Sequence, residues 1–143
     1  MKKVIALILS VLMFISAFSF TASALESDVS NTWGSLNWTL TTNGTLTISG
    51  SGEMLDFVSE NTSDAWRAYK NDITKVVIGE NVTSVCDYAF RNCGYITEAS
   101  LPSTITEIGK SAFSACTRLE KVNLPEGLLT IGDSAFTQCM VLK

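Results

Sequence analysis

"SAFSACTRLEKVNLPEGLLTIGDSAFTQCMVLK", residues 111–143, contains nearly the same phrase twice. Sliding the chain against itself accounts for it: Phe90, Phe113 and Phe136 stand 23 residues apart. Ala89, Ala112 and Ala135 keep the same step, as do Cys93, Cys116 and Cys139. Val85, Ile108 and Ile131 align, then Val82, Ile105 and Leu128, and then Ile96, Leu119 and Leu142. Leu101-Pro102 falls on Leu124-Pro125, with Ile78-Gly79 one step earlier, and Ile73 and Val76 are forerunners of Ile96 and Ala99. A dense match at a fixed period marks a repeat architecture, in which each unit buries its apolar face only by stacking on its neighbours.

Each unit divides in two. Leu119 to Pro125 has the form L-x-x-V-x-L-P, which predicts a short strand with its apolar residues inward, ended by proline. Leu128 to Cys139 has the form L-x-x-I-G-x-x-A-F-x-x-C. Its spacings of three and four predict a tight, partly helical return arm, with Phe as the core plug and Ala where a larger side chain would not fit. The units "ITEIGKSAFSACTRLEKVNLP" (105–125) and "LLTIGDSAFTQC" (128–139) resemble the BspA-type leucine-rich repeats of bacterial surface and secreted proteins, over residues 73–143. The resemblance implies an α/β-type right-handed leucine-rich-repeat solenoid of 23-residue units, with parallel strands on its concave face. It also implies display outside the cell, for adhesion or protein binding. Cys86 departs from the pattern, standing where Gly109 and Gly132 stand in the later units. If that glycine takes a positive φ, the first unit must bend differently.

The N-terminus predicts export. Lys2 and Lys3 precede an apolar run over residues 4–20, and Ala22-Ser23-Ala24 supplies a small-x-small cleavage site. Residues 1–24 therefore form a signal peptide cut after Ala24, placing the product in the secreted or cell-surface compartment with no membrane insertion afterwards. Removing it leaves 8 Lys and Arg against 14 Asp and Glu, a formal charge of −6. An acidic exported chain lacks the basic patch that nucleic acid requires. The chain has no histidine, which removes Ser-His-Asp and Cys-His catalysis and histidine metal sites together. The sequence presents no catalytic set, metal motif or cofactor motif, and the expectation is a protein that is not an enzyme.

Residues 25–72 are expected to be a linker and an N-terminal β-hairpin cap. "LNWTLTTNGTLTISG" (36–50) alternates Leu36, Trp38 and Leu40, turns at Asn43-Gly44 and resumes with Leu46 and Ile48. Trp66 and Tyr69 stand where an aromatic cover over the first repeat is needed. The functional alternative is a sugar-binding aromatic face built from Trp33, Trp38 and Trp66.

Three of the four cysteines share one repeat position, so Cys93, Cys116 and Cys139 are expected to stack as a buried structural thiol ladder. Cys86 with Cys93 is the pair that could depart from this as a disulfide. Charges also form columns: Lys75, Glu98 and Lys121 on the strand, and Asp87, Lys110 and Asp133 on the arm. Stacking of opposite signs would stabilise neighbouring coils. The same strand positions would line the concave face, so the candidate partner-binding residues are Thr74, Lys75, Val77, Thr97, Glu98, Ser100, Glu120, Lys121 and Asn123. A polar, mixed-charge sheet suits an extracellular protein or glycan.

Leu142 begins a further strand phrase that Lys143 cuts short. The expectation is three units over 73–143, truncated or uncapped at the C-terminus, with self-association through that edge as the alternative to a longer protein. Two functions follow: a secreted or cell-surface interaction and adhesion module, or the N-terminal scaffold of a longer exported enzyme such as a cell-wall or polysaccharide hydrolase.

Overall fold

The alternation of Leu36, Trp38 and Leu40 places three apolar side chains on one face of a strand, and from that face the core is built. A computed structural model describes residues 25–57 and 65–143. The expected signal peptide over 1–24 lies outside the described residues. Strands β1 (Val29–Trp33), β2 (Leu36–Leu40) and β3 (Thr45–Gly50) form an antiparallel meander. This is one strand more than the expected hairpin. β1 was hidden because its alternation is weak, and Val29 and Trp33 are only half-buried. The link from β2 to β3 is also not a two-residue turn. Thr41 N donates to Thr45 O at 3.0 Å, and Gly44 takes φ +84. The loop therefore has three residues with a left-handed glycine at its end.

Downstream, β4 (Lys75–Ile78) joins β3 in parallel. β6 (Glu98–Ser100) and β8 (Lys121–Asn123) extend the sheet in the order β1-β2-β3-β4-β6-β8. A second parallel sheet is made by the two-residue strands β5 (Ser84–Val85), β7 (Glu107–Ile108) and β9 (Thr130–Ile131). In the large sheet Lys75, Glu98 and Lys121 are ladder partners; in the small one Val85, Ile108 and Ile131 are. Residues that coincide in the sequence comparison thus become spatial neighbours.

The apolar positions of each phrase meet between the two sheets. Ile73, Val76, Val82, Val85, Ala89, Phe90, Ile96, Ile105, Ile108, Phe113 and Leu119 are all fully buried. Phe90 and Phe113 stack with ring centroids 5.0 Å apart, and Phe113 and Phe136 at 5.3 Å with planes 3° apart. Trp66 continues the stack towards the N-terminus, 6.0 Å from Phe90, and its Nε1 donates to Ala89 O at 2.9 Å.

The return arm differs from the partly helical segment expected. Among the described residues there is no α-helix, and the one 3-10 segment, Ala65–Tyr69, precedes β4. Each arm carries two left-handed residues: Tyr88 and Asn92, Ser111 and Ala115, Ser134 and Gln138. These break any helical run within a few residues, because left-handed backbone costs an L-residue about 1–2 kcal/mol and cannot continue a right-handed turn. The arms zip to one another instead. Phe90 N donates to Ala112 O at 2.7 Å and Phe113 N to Ala135 O at 2.8 Å. Ala115 takes φ 59, a conformation that glycine adopts without the strain an L-residue bears. Ala115→Gly is expected to raise stability by about 0.5–1 kcal/mol, read as a higher urea midpoint at unchanged slope.

The glycine of the I-G step serves a purpose other than the one expected. Gly109 and Gly132 do not take positive φ. A Cβ on Gly109 would lie 2.5 Å from Asp87 N, and one on Gly132 would lie 2.5 Å from Lys110 N. Close approach of one coil's backbone to the next demands the glycine. Cys86 needs none, because the chain facing it is a loop held through side chains: Met54 N donates to Ser84 Oγ, and Asp56 Oδ1 accepts from Asp87 N.

Candidate functional site

The large sheet turns Leu36, Leu40, Leu46, Ile48, Val76 and Ala99 into the core, so the alternate residues face outward. Register assembles them into columns that cross every strand. Ser30, Thr39, Thr47, Val77, Ser100 and Asn123 form one column; Thr45, Lys75, Glu98 and Lys121 form another. The sheet therefore brings most of the expected residues onto one surface, and it extends that surface across the meander. Thr39, Thr45 and Thr47 were missed by the sequence reading. The signal was present in the alternating threonines of "TLTTNGTLT", but only the parallel join of β3 to β4 puts them beside the repeats.

Side-chain bonds then separate the residues that remain available from those already engaged. Thr97 Oγ1 donates to Thr74 O at 3.2 Å, a bond between residues 23 apart, and Thr74 Oγ1 donates to Gly44 O at 3.2 Å. Asn123 uses its whole amide on Leu101, accepting from N at 2.9 Å and donating to O at 2.7 Å. It thereby extends the ladder past the end of β6. Lys75 Nζ lies 3.2 Å from Glu98 Oε2 with both side chains nearly half exposed, so the pair contributes at most about 1 kcal/mol and weakens with salt. Val77, Ser100, Glu120 and Lys121 remain without such engagement among the described residues, and all are at least partly exposed.

The fold and this periodic face can be placed among known proteins. The model for the "BspA type leucine rich repeat region (6 copies)" matches residues 63–143, more than half of the chain. The chain belongs to the BspA-type leucine-rich-repeat family. Solved structures agree on the fold. A leucine-rich repeat protein from Eubacterium ventriosum superimposes with a TM-score of 0.65 at 23% identity, over 78% of this chain and 36% of that one. A leucine rich cell surface protein from Faecalibacterium prausnitzii gives a TM-score of 0.52 at 24% identity, over 80% of this chain and 35% of that one. The chain spans about a third of the length of each. Among curated proteins nothing matches.

The cysteine column of this BspA-type array lies inside it. Cys116 Sγ donates to Phe90 O at 3.1 Å and Cys139 Sγ to Phe113 O at 3.2 Å. All four cysteines are free thiols, Cys86 and Cys93 included. Burial pushes Cys93 from the ordinary value near 9.0 up to about 12, and raises Cys86, Cys116 and Cys139 as well. These thiols are poor nucleophiles at neutral pH. Because the folded chain holds these protons more tightly than the unfolded chain, the stability they carry is complete below about pH 8 and falls as pH rises through the ordinary thiol range towards 12. The urea midpoint is expected to drop between about pH 8 and about pH 10.5, and Cys93→Ala to flatten that drop.

The aromatic sugar face is not assembled. Trp66 and Trp38 are buried at 0% and 3% exposure, and Trp33 stacks on Phe57 while its Nε1 donates to Leu55 O. A polar cleft of about 220 Å³ lies beside β5 and β7, lined by Glu53, Asp56, Asp87 and Glu107. The Asp56 and Asp87 carboxylates there accept from the backbone amides of Asp87 and Lys110. Among the described residues no three acidic, thiol or imidazole side chains converge as a metal set.

Proposed function

We propose that the chain is a secreted or cell-surface interaction module. In this reading residues 73–143 form a right-handed solenoid of 23-residue units, capped by residues 25–72, with the large sheet on its concave side. The outward columns of that sheet meet an extracellular protein, and Val77, Ser100, Glu120 and Lys121 supply the contacts. Lys75 and Glu98 set the charge pattern, while Thr74, Thr97 and Asn123 hold the surface rigid. The observation that carries the reading is one outward polar sheet face running unbroken from β1 to β8. A rigid, mixed-charge surface suits a macromolecule better than a small apolar ligand. Export is supported by the residue pattern of 1–24, and surface display by the name of the F. prausnitzii structure.

The test compares proteins captured from cell-envelope and culture extracts by the full chain and by a Ser100→Lys/Lys121→Glu variant, quantified by mass spectrometry. Specific partners lost from the variant and recovered with Lys121→Arg would support the sheet face. Identical capture by both would overturn it.

A further inference from the structure

An asparagine side chain can be attacked by the backbone nitrogen of the residue that follows it, because the two close a small imide ring. A side chain on that following residue hinders the approach, and glycine has none. Of the chain's asparagines only Asn43 is followed by glycine. The loop between β2 and β3 cannot exchange that glycine. Gly44 takes φ +84, and a Cβ on it would lie 2.5 Å from Thr74 Oγ1 and 2.8 Å from Asp72 O. The absence of a side chain that the fold requires is therefore the same absence that leaves the link open to attack.

Folding engages both reactants. Gly44 N, the nucleophile, donates to Thr41 O at 2.9 Å. Asn43 Oδ1, on the carbon to be attacked, accepts from Thr41 Oγ1 at 2.6 Å and from Thr45 N at 3.0 Å. Gly44 O accepts from Thr74 N at 2.8 Å, from Lys75 N at 3.2 Å and from Thr74 Oγ1 at 3.2 Å. These bonds dock the loop on the entry to β4, so Gly44 N cannot turn towards the Asn43 side chain without breaking them. Asn43 is itself exposed, and its Nδ2 is bonded to nothing among the described residues.

We propose that Asn43-Gly44 is a modification site, a deamidation site whose reagent is water, closed while the loop is docked on β4 and open once that docking is lost. Gly44 N gives its proton to hydroxide and bonds to Asn43 Cγ. The Cγ–Nδ2 bond breaks, and Nδ2 leaves as ammonia with a proton taken from water. A second water then opens the imide at one of its carbonyls. Opening at Cγ restores the backbone with aspartate in place of asparagine. Opening at the main-chain carbonyl leaves an isoaspartyl link, in which the chain runs through Cβ and Cγ. The fold receives the two products differently. Both bonds of the Asn43 side chain end on Oδ1, so an aspartate keeps them and, as a charged acceptor, strengthens them. The isoaspartyl link adds a backbone atom ahead of Gly44 and carries its carbonyl away from Thr74 and Lys75. Lost docking thereby becomes permanent, and the modification marks chains in which β3 has left β4.

The test incubates the full chain at mildly alkaline pH in heavy-oxygen water, both folded and in urea, and follows residue 43 by peptide mapping with mass spectrometry. Heavy oxygen is expected at that residue, at least about tenfold more slowly in the folded chain, because only the open fraction reacts. Thr74→Val removes the hydroxyl bond to Gly44 O. It should raise the folded rate about threefold to tenfold and leave the rate in urea unchanged. The modified fraction should unfold at lower urea than Asn43→Asp, which keeps both side-chain bonds. The comparison of folded with urea-treated parent needs no variant, and it stands if Thr74→Val fails to fold. Equal rates in the two states, no reaction in urea, a folded rate unmoved by Thr74→Val, an equal gain in urea, or a modified fraction as stable as Asn43→Asp would each overturn the proposal.

Discussion

Phe113→Ala is expected to destabilise the chain by about 3–5 kcal/mol, a large share of the roughly 5–15 kcal/mol that a domain of this size possesses. The ring has no exposure and is stacked on both sides, 5.0 Å from Phe90 and 5.3 Å from Phe136. Its removal therefore opens a cavity that neighbouring coils, zipped to one another by backbone bonds, cannot collapse to fill. Phe136→Ala should cost distinctly less, because that ring is only partly buried. Urea unfolding of the two variants checks the difference. Equal losses would mean that the ring column does not act as a continuous core.

Gly109→Ala is expected to cost about 1–3 kcal/mol, although alanine is among the mildest of substitutions. The added Cβ would stand 2.5 Å from Asp87 N and 2.7 Å from the Cys86 carbonyl carbon. Both are backbone atoms, so the coils must separate where Gly109 N donates to Val85 O at 2.7 Å. Gly94→Ala is the control. Its Cβ would find Thr117 Oγ1 at 3.4 Å, an ordinary contact, and its backbone is not left-handed. It should be neutral, or stabilising by about 0.4–1 kcal/mol through the unfolded chain. Thermal melts of both variants decide the matter; a tolerated Gly109→Ala would show that the coil spacing is not set by that contact.

The candidate face was legible only in part. The columns Lys75, Glu98, Lys121 and Val77, Ser100, Asn123 follow from the period and from strand alternation, and the ladders place them together. That Asn123 is consumed by Leu101, and Thr97 by Thr74, was not legible. A polar residue on an outward strand position has the same sequence signature whether its donors face solvent or the backbone of the neighbouring coil. The arm shows the same limit. The spacing of three and four is common to a helix and to a series of turns, and only the left-handed residues at Ser111 and Ala115 distinguish them.

By itself, then, the sequence determined the repeat, its period, the apolar set that fills the core and the two faces of each strand. Those are properties of neighbouring residues and of the chain's own periodicity. The tertiary structure alone decided the third strand of the N-terminal meander, the purpose of Gly109, the conformation of the arms and the approach of Arg91 and Lys110 to Tyr88. Each of these turns on how closely one coil approaches the next. That distance is set by packing between atoms more than twenty residues apart, and no local pattern encodes it.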